Sequence, residues 1–212
     1  MRSLAATLHD LLLTAALPAR VQLDVLRRMG SPDRHYHGLD HLAALWMRHK
    51  RYGVGTPFVS RRLSRLIACA ILFHDAVYDP KRTDNEVRSA VLWEKSAPMD
   101  LPRRDVAWVA GTIRATADHL APHPDRTLRQ RARRWLLDLD LTPLGDEPGL
   151  FDRNTRALRA EYRHLAEPQW RHQRAAFLQK LQNVRGLYHS HPIAAVFASR
   201  ARRNLSRAVG AS

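Results

Sequence analysis

His74 and Asp75 stand side by side at the end of the apolar run Ile71-Leu72-Phe73. Taking an imidazole and a carboxylate out of water is costly unless something pairs with them. Either the two residues reach water at a helix end, or they share a partner. Three further polar clusters interrupt an otherwise regular pattern. "RHYHGLDHL" carries His37 and His41, four residues apart and so on one face of a helix. "ATADHL" puts His119 at the end of a helix, and "LLDLDLTPLG" sets Asp138 and Asp140 among leucines. Singly, each has an ordinary explanation: a chance pair in a chain with 12 histidines, a histidine favoured by a helix C-terminus, a cap. Jointly, they form a mixed nitrogen and oxygen donor set. Imidazole with carboxylate suits a borderline or hard divalent cation such as Mn, Fe, Co, Ni or Mg. Cys69 is the one cysteine, which argues against a closed structural zinc site.

The elements that must position these groups read as helix after helix. Apolar residues at three- and four-residue spacing predict helices near 4–16, 20–29, 38–51, 59–77, 84–97, 103–118, 126–138, 150–165, 169–185 and 192–208. Breakers separate them, among them "GSPD", "GVGTP", "APMDLP", "LAPHPD" and "PLGDEPG". Convincing alternation of period two is absent. The expectation is an all-α fold of about ten helices. The 212 residues form one globular domain, with the helices after about 168 as a C-terminal appendage in an alternative division. In "TDNE", Asp84 is placed to cap the helix that begins at Asn85, while Asp84 and Glu86 are also candidates to support a neighbouring site.

Composition narrows the classes. Hydrophobic residues make up 45% and charged residues 26%, the balance of a globular protein able to bury a core without staples. No apolar run approaches membrane-spanning length, and His9 and Asp10 interrupt the N-terminal leucines, so the start reads as an amphipathic helix. One cysteine in an apolar context fits a reducing compartment, and the expected location is the cytoplasm. The net charge of +15 is almost all arginine, spread along the chain and without the interleaved aromatics of a base-stacking platform. It reads as a solvated face before it reads as a nucleic-acid surface.

The order of these groups, a histidine, then His-Asp, then a late aspartate on an all-helical frame, resembles the HD superfamily of metal-dependent phosphohydrolases. The wider context "YHGLDHL", "FHDAVYDPKRTDNEVRSA", "IRATADH" and "DLDLTPLG" is similar to a bacterial branch known as predicted metal-dependent phosphohydrolases, and the likeness extends to "EYRHL" and "ARRNL". A more distant likeness joins "YHGLDH" and "DLTP" to elements of cyclic-nucleotide phosphodiesterases, with Gly38 standing where that family has asparagine. The resemblance implies that His41, His74, Asp75 and Asp140 hold one or two divalent cations and favours Asp140 over Asp138. It implies that His37 donates a proton to the leaving group, and that Asp75, which can bridge to a second cation, acts with it at the reaction centre. In other members the first element is a single histidine, and His37 is then the alternative ligand. His119 becomes an additional ligand or substrate contact.

The activity implied is hydrolysis of a phosphoester or phosphoanhydride, a nucleotide above all, by metal-activated water. The implied partner is thus a small phosphorylated molecule. Arg34, Arg82 and Arg114 are near enough in sequence to be considered for its phosphate. Two alternatives stand beside this: a basic helical module that binds nucleic acid, and an HD domain that binds a nucleotide without turnover.

Overall fold

The computed structural model describes residues 3–121 and 123–210, and among them the fold is all-helical. Ten α-helices follow one another: α1 (Leu4–Ala15), α2 (Ala19–Met29), α3 (Leu39–Tyr52), α4 (Arg61–Phe73), α5 (Asn85–Ser96), α6 (Arg103–Ala115), α7 (Leu128–Leu141), α8 (Pro148–Glu161), α9 (Glu167–Gln182) and α10 (His191–Gly210). Short 3-10 turns precede α4 and follow α7. No helix among the described residues is long and apolar enough to cross a membrane.

α4 is the central element. Its ten residues Leu63, Ser64 and Leu66–Phe73 are buried, so it is apolar around most of its circumference, as a helix enclosed by others must be. α1, α3, α5, α6 and α7 pack around it. Trp46, Trp93 and Trp135 fill the space between helices, and each indole N–H finds a partner: Asp10, the Val106 carbonyl and His49. A buried indole left unpaired would be costly, so these bonds fix how the helices sit. His49, in turn, stays neutral, its pKa lowered to about 4 by burial. The Cys69 thiol is enclosed at the middle of α4, and burial pushes it up to about 12, the state of an inert packing residue.

The hydrophobic cluster continues from Leu8 to Leu205, taking in Leu178 and Leu181 of α9 and Ile193 and Phe197 of α10. α10 lies across the turn after α7. Gly145 meets Phe197 there so closely that a Cβ would stand 2.5 Å from the Phe197 carbonyl oxygen. Asn204 donates to the Leu144 and Asp146 carbonyls, which satisfies that turn's backbone.

Helix ends depart from the spacing at three places that matter. α4 stops at Phe73, four residues short of the expected end, because the chain turns: the Ala76 amide bonds the Phe73 carbonyl. α6 stops at Ala115, which leaves His119 in the following loop rather than on the helix. α7 runs on to Leu141, so Asp138 and Asp140 both lie within it.

Candidate metal centre

The first turn of α3, the end of α4 and the end of α7 meet, and each contributes. His41 sits in the first turn of α3, behind the N-cap Gly38. A Cβ at position 38 would stand 3.3 Å from the Arg34 carbonyl oxygen and 3.4 Å from that of Met29, so the close approach of this segment favours glycine. His74 occupies the C-cap of α4 and Asp75 follows it. Adjacent residues on a continuing helix would diverge. Ending the helix at this point lets both side chains turn the same way. His41, His74 and Asp75 offer three donor atoms within 4.8 Å of one another.

The distances are those of groups gathered around one point. His41 Nε2 lies 3.2 Å from His74 Nε2 and 3.2 Å from Asp140 Oδ1. His74 Nε2 is 3.0 Å from Asp75 Oδ2 and 3.7 Å from Asp140 Oδ1. Donors about 2.1 Å from a common cation stand about 3.0–3.4 Å apart in octahedral or tetrahedral geometry. The chemistry of the set agrees with that spacing. His74 Nδ1 donates to the Ile71 carbonyl at 2.9 Å, which leaves the Nε2 of the neutral ring as a bare lone pair facing the centre. Two carboxylates and two imidazoles thus face each other in a nearly dry space, an arrangement that calls for a positive charge. The C-terminal ends of α4 and α7, both beside the centre, add to that preference.

The titration behaviour follows from the same geometry. Burial opposes charge on His74, yet the carboxylates of Asp75 and Asp140 raise it to about 10. A proton there places positive charge between the two carboxylates. Burial lowers His41 and keeps it neutral. Burial would lift Asp75 and Asp140, but the surrounding imidazoles hold both well below the usual carboxylate range. His119, from the loop after α6, donates through Nε2 to Asp140 Oδ2 at 2.8 Å. It orients the carboxylate in this arrangement instead of offering the centre a lone pair.

His37 stands apart from the donor group. Its ring lies 6.0 Å from that of His41, and its Nδ1 donates to Glu161 Oε2 at 2.6 Å. The Tyr36 and His37 amides donate to Glu161 Oε1, and the Tyr78 hydroxyl to Oε2. Burial works against a charged His37, but Asp75 and the Glu161 hydrogen bond win and raise its pKa. Glu161 was not among the residues singled out by spacing. At the end of the amphipathic α8 it looks like one more surface acid, yet its side chain is fully buried.

Arg34 binds the frame together. Its guanidinium donates to the carbonyls of His37 (3.0 Å), Asp75 (2.6 Å) and Ala76 (3.2 Å), tying the His37 segment to the turn after α4. It is therefore engaged by backbone. Arg82 pairs with Asp84, and Arg114 with Glu94, both at the surface. None of the three arginines considered from sequence faces the centre unpaired.

The expectations for the remaining acids need correction. Asp84 occupies the N-cap position of α5 without a capping bond, because its carboxylate is taken by Arg82. Asn85 and Ser89 hold that loop instead, through Asp79 and Val77. Glu86 is half-buried in the first turn of α5, where its charge bears on Tyr162. Asp138 points away from Asp140. It accepts from the His189 and Ser190 amides and so anchors the approach to α10. Asp138→Ala takes a charged acceptor from the His189 and Ser190 amides and loosens the approach to α10, at a cost of about 1–3 kcal/mol in all. The expected result is a lowered melting temperature with metal content unchanged. A variant that lost metal and kept its stability would place Asp138 in the centre.

A cavity of about 370 Å³ adjoins the donor group at Asp140, is lined also by His37 and His119, and is walled by α8 and α9. Comparison with models of known families, with curated proteins and with solved structures returns no match.

Proposed function

We propose that the protein is a metal-dependent phosphohydrolase acting on a small phosphorylated compound, a nucleotide above all, in the cytoplasm. The observation that carries the reading is the convergence of His41, His74, Asp75 and Asp140 donor atoms beside a cavity that Asp140 and His37 line. A bound divalent cation, one or two per chain, supplies Lewis acidity toward the phosphoryl group and makes water a nucleophile near neutral pH. His41 and His74 present imidazole nitrogens, and Asp75 and Asp140 carboxylate oxygens, to hold it. By the family resemblance, Asp75 also acts with the cation at the reaction centre. Asp75 and Glu161 raise the His37 pKa, and the Glu161 hydrogen bond fixes the ring, so His37 in its protonated form is placed to hand a proton from Nε2 to the leaving oxygen as it departs. His119 restrains Asp140.

The contrast between neighbouring histidines supports this division of labour. A ligand needs a bare lone pair, and His41 is kept neutral by burial. A general acid needs its proton, and Asp75 and the Glu161 hydrogen bond shift His37 toward its protonated form. The +15 charge favours a second reading, a nucleic-acid binder, and one experiment separates them. Protein loaded with Mn or Co is incubated with nucleoside mono-, di-, tri- and cyclic phosphates and an aryl phosphodiester. At least one should be hydrolysed, with only a modest fall in rate as salt rises. An intact panel, together with RNA or DNA binding that collapses over about 50–200 mM salt and survives Asp75→Ala, would overturn the reading.

A further inference from the structure

We infer that Arg174 binds the anionic group of the ligand and that the aromatic wall around it takes a flat ring, so the cavity selects a small ring-bearing phosphate monoester. α9 presents Trp170, Gln173, Arg174 and Phe177 to the cavity, a spacing that puts all four on one helical face. Arg174 is the one lysine or arginine among the described residues that line it. Its Nε is buried and has no hydrogen-bond partner. No carboxylate among the described residues forms an ion pair with it, and burial lowers its pKa while only the Tyr36 and Tyr162 hydroxyls offset that.

A guanidinium half taken out of water without a counter-charge is unfavourable, and natural chains keep such a group where an anionic ligand completes it. Its planar fork matches two phosphate oxygens. The other arginines near the centre are committed: Arg34 to backbone carbonyls, Arg48 to Asp146 and Thr142. The Arg174 guanidinium rests 5.7 Å over the Phe177 ring with no anionic partner among the described residues, and one such fork suits one phosphoryl group better than a polyphosphate tail. The apolar lining includes Tyr36, Phe151, Tyr162, Trp170 and Phe177, surfaces for stacking a ring, and Asn154 and Gln173 offer amides to its edge. The volume lies near the low end of the roughly 300–1,000 Å³ range of small-molecule sites, too small for a strand of nucleic acid.

The choice of an ester as the bond to be broken rests on the phosphohydrolase reading; the anion and ring sites do not. The full-length protein, metal-depleted and metal-loaded, is titrated calorimetrically with phenylphosphonate and methylphosphonate. Phenylphosphonate should bind the wild type more tightly than methylphosphonate in both states. Arg174→Ala should weaken phenylphosphonate by about 10- to 100-fold, the loss of a charge-assisted pair, with metal content and circular dichroism unchanged. Arg174→Lys, a milder change, should recover only part of the affinity, because the two-pronged contact is gone. Equal phenylphosphonate affinity in wild type and Arg174→Ala overturns the proposal, as does an unchanged KM for an aryl phosphate that the variant still hydrolyses. Arg174-dependent binding in a protein that hydrolyses nothing upholds the anion site and removes the hydrolase reading instead.

Discussion

Purified protein carries about one or two equivalents of a divalent transition metal, and His74→Ala or Asp75→Ala removes it together with all hydrolysis: this is the expected result with the largest effect. Both side chains supply donor atoms to the same point, and both come from the one turn that ends α4. Losing an outer partner of a metal ligand typically costs about 10- to 100-fold in affinity, and losing a ligand costs more. His74→Ala also removes the group on which the centre holds a proton, leaving His41 and His119 beside Asp140 and His37 near Asp75 to offset the two carboxylates. Elemental analysis of wild type and variants, with circular dichroism as a check on folding, reads the outcome. A metal-free wild type that stays inert to added Mn, Co and Ni would remove the centre from the account.

His37→Ala and Glu161→Gln behave differently. Both should keep the metal, and His37→Ala should lower kcat by roughly 100-fold or more, the usual worth of a positioned proton donor. Glu161→Gln acts through His37. The Glu161 carboxylate helps raise the His37 pKa, so the active protonated form persists below that value and is lost as pH rises through it. Replacing the carboxylate with an amide lowers the His37 pKa. The alkaline limb of the rate profile should therefore move to lower pH, while kcat at the optimum falls less than in His37→Ala. Metal loss in His37→Ala, with metal retained in His41→Ala, would exchange the two roles. An unmoved alkaline limb in Glu161→Gln would remove Glu161 from the proton-transfer step.

The helical frame was legible because its signal is local. Apolar spacing marks each of the ten helices, and proline and glycine mark the gaps. The ends were less legible. Ala76 and Val77 prolong the apolar run past Phe73, and only the turn pinned by Arg34 and Ser89 shows that α4 has stopped. At the site, the polar clusters holding His41, His74, Asp75 and Asp140 interrupted the helical pattern, the family resemblance singled out these four, and the structure brings their donor atoms together. Asp138 stood out for the same reason, yet it serves α10, a distinction no spacing within "LLDLDL" contains. Glu161 and Arg174 were missed for the opposite reason. In the polar sequence of α8 and α9 they resemble solvent-facing charges, and what makes them special arrives from far along the chain: His37 for one, the shared cavity for the other.

The donors come from distant parts of the chain, which sets an order of events at the ribosome. Three of them lie within its first 75 residues, whereas Asp140 follows sixty-five residues after Asp75. At about 5–20 residues per second, the growing chain spends about 3–13 s with an incomplete centre. Glu161, which holds His37, emerges later still. A nascent chain therefore offers a loose three-donor site before it offers the finished one. In the proposed reading, completion of the donor set and that of the His37–Glu161 pair are thus separated in time by the order of the helices.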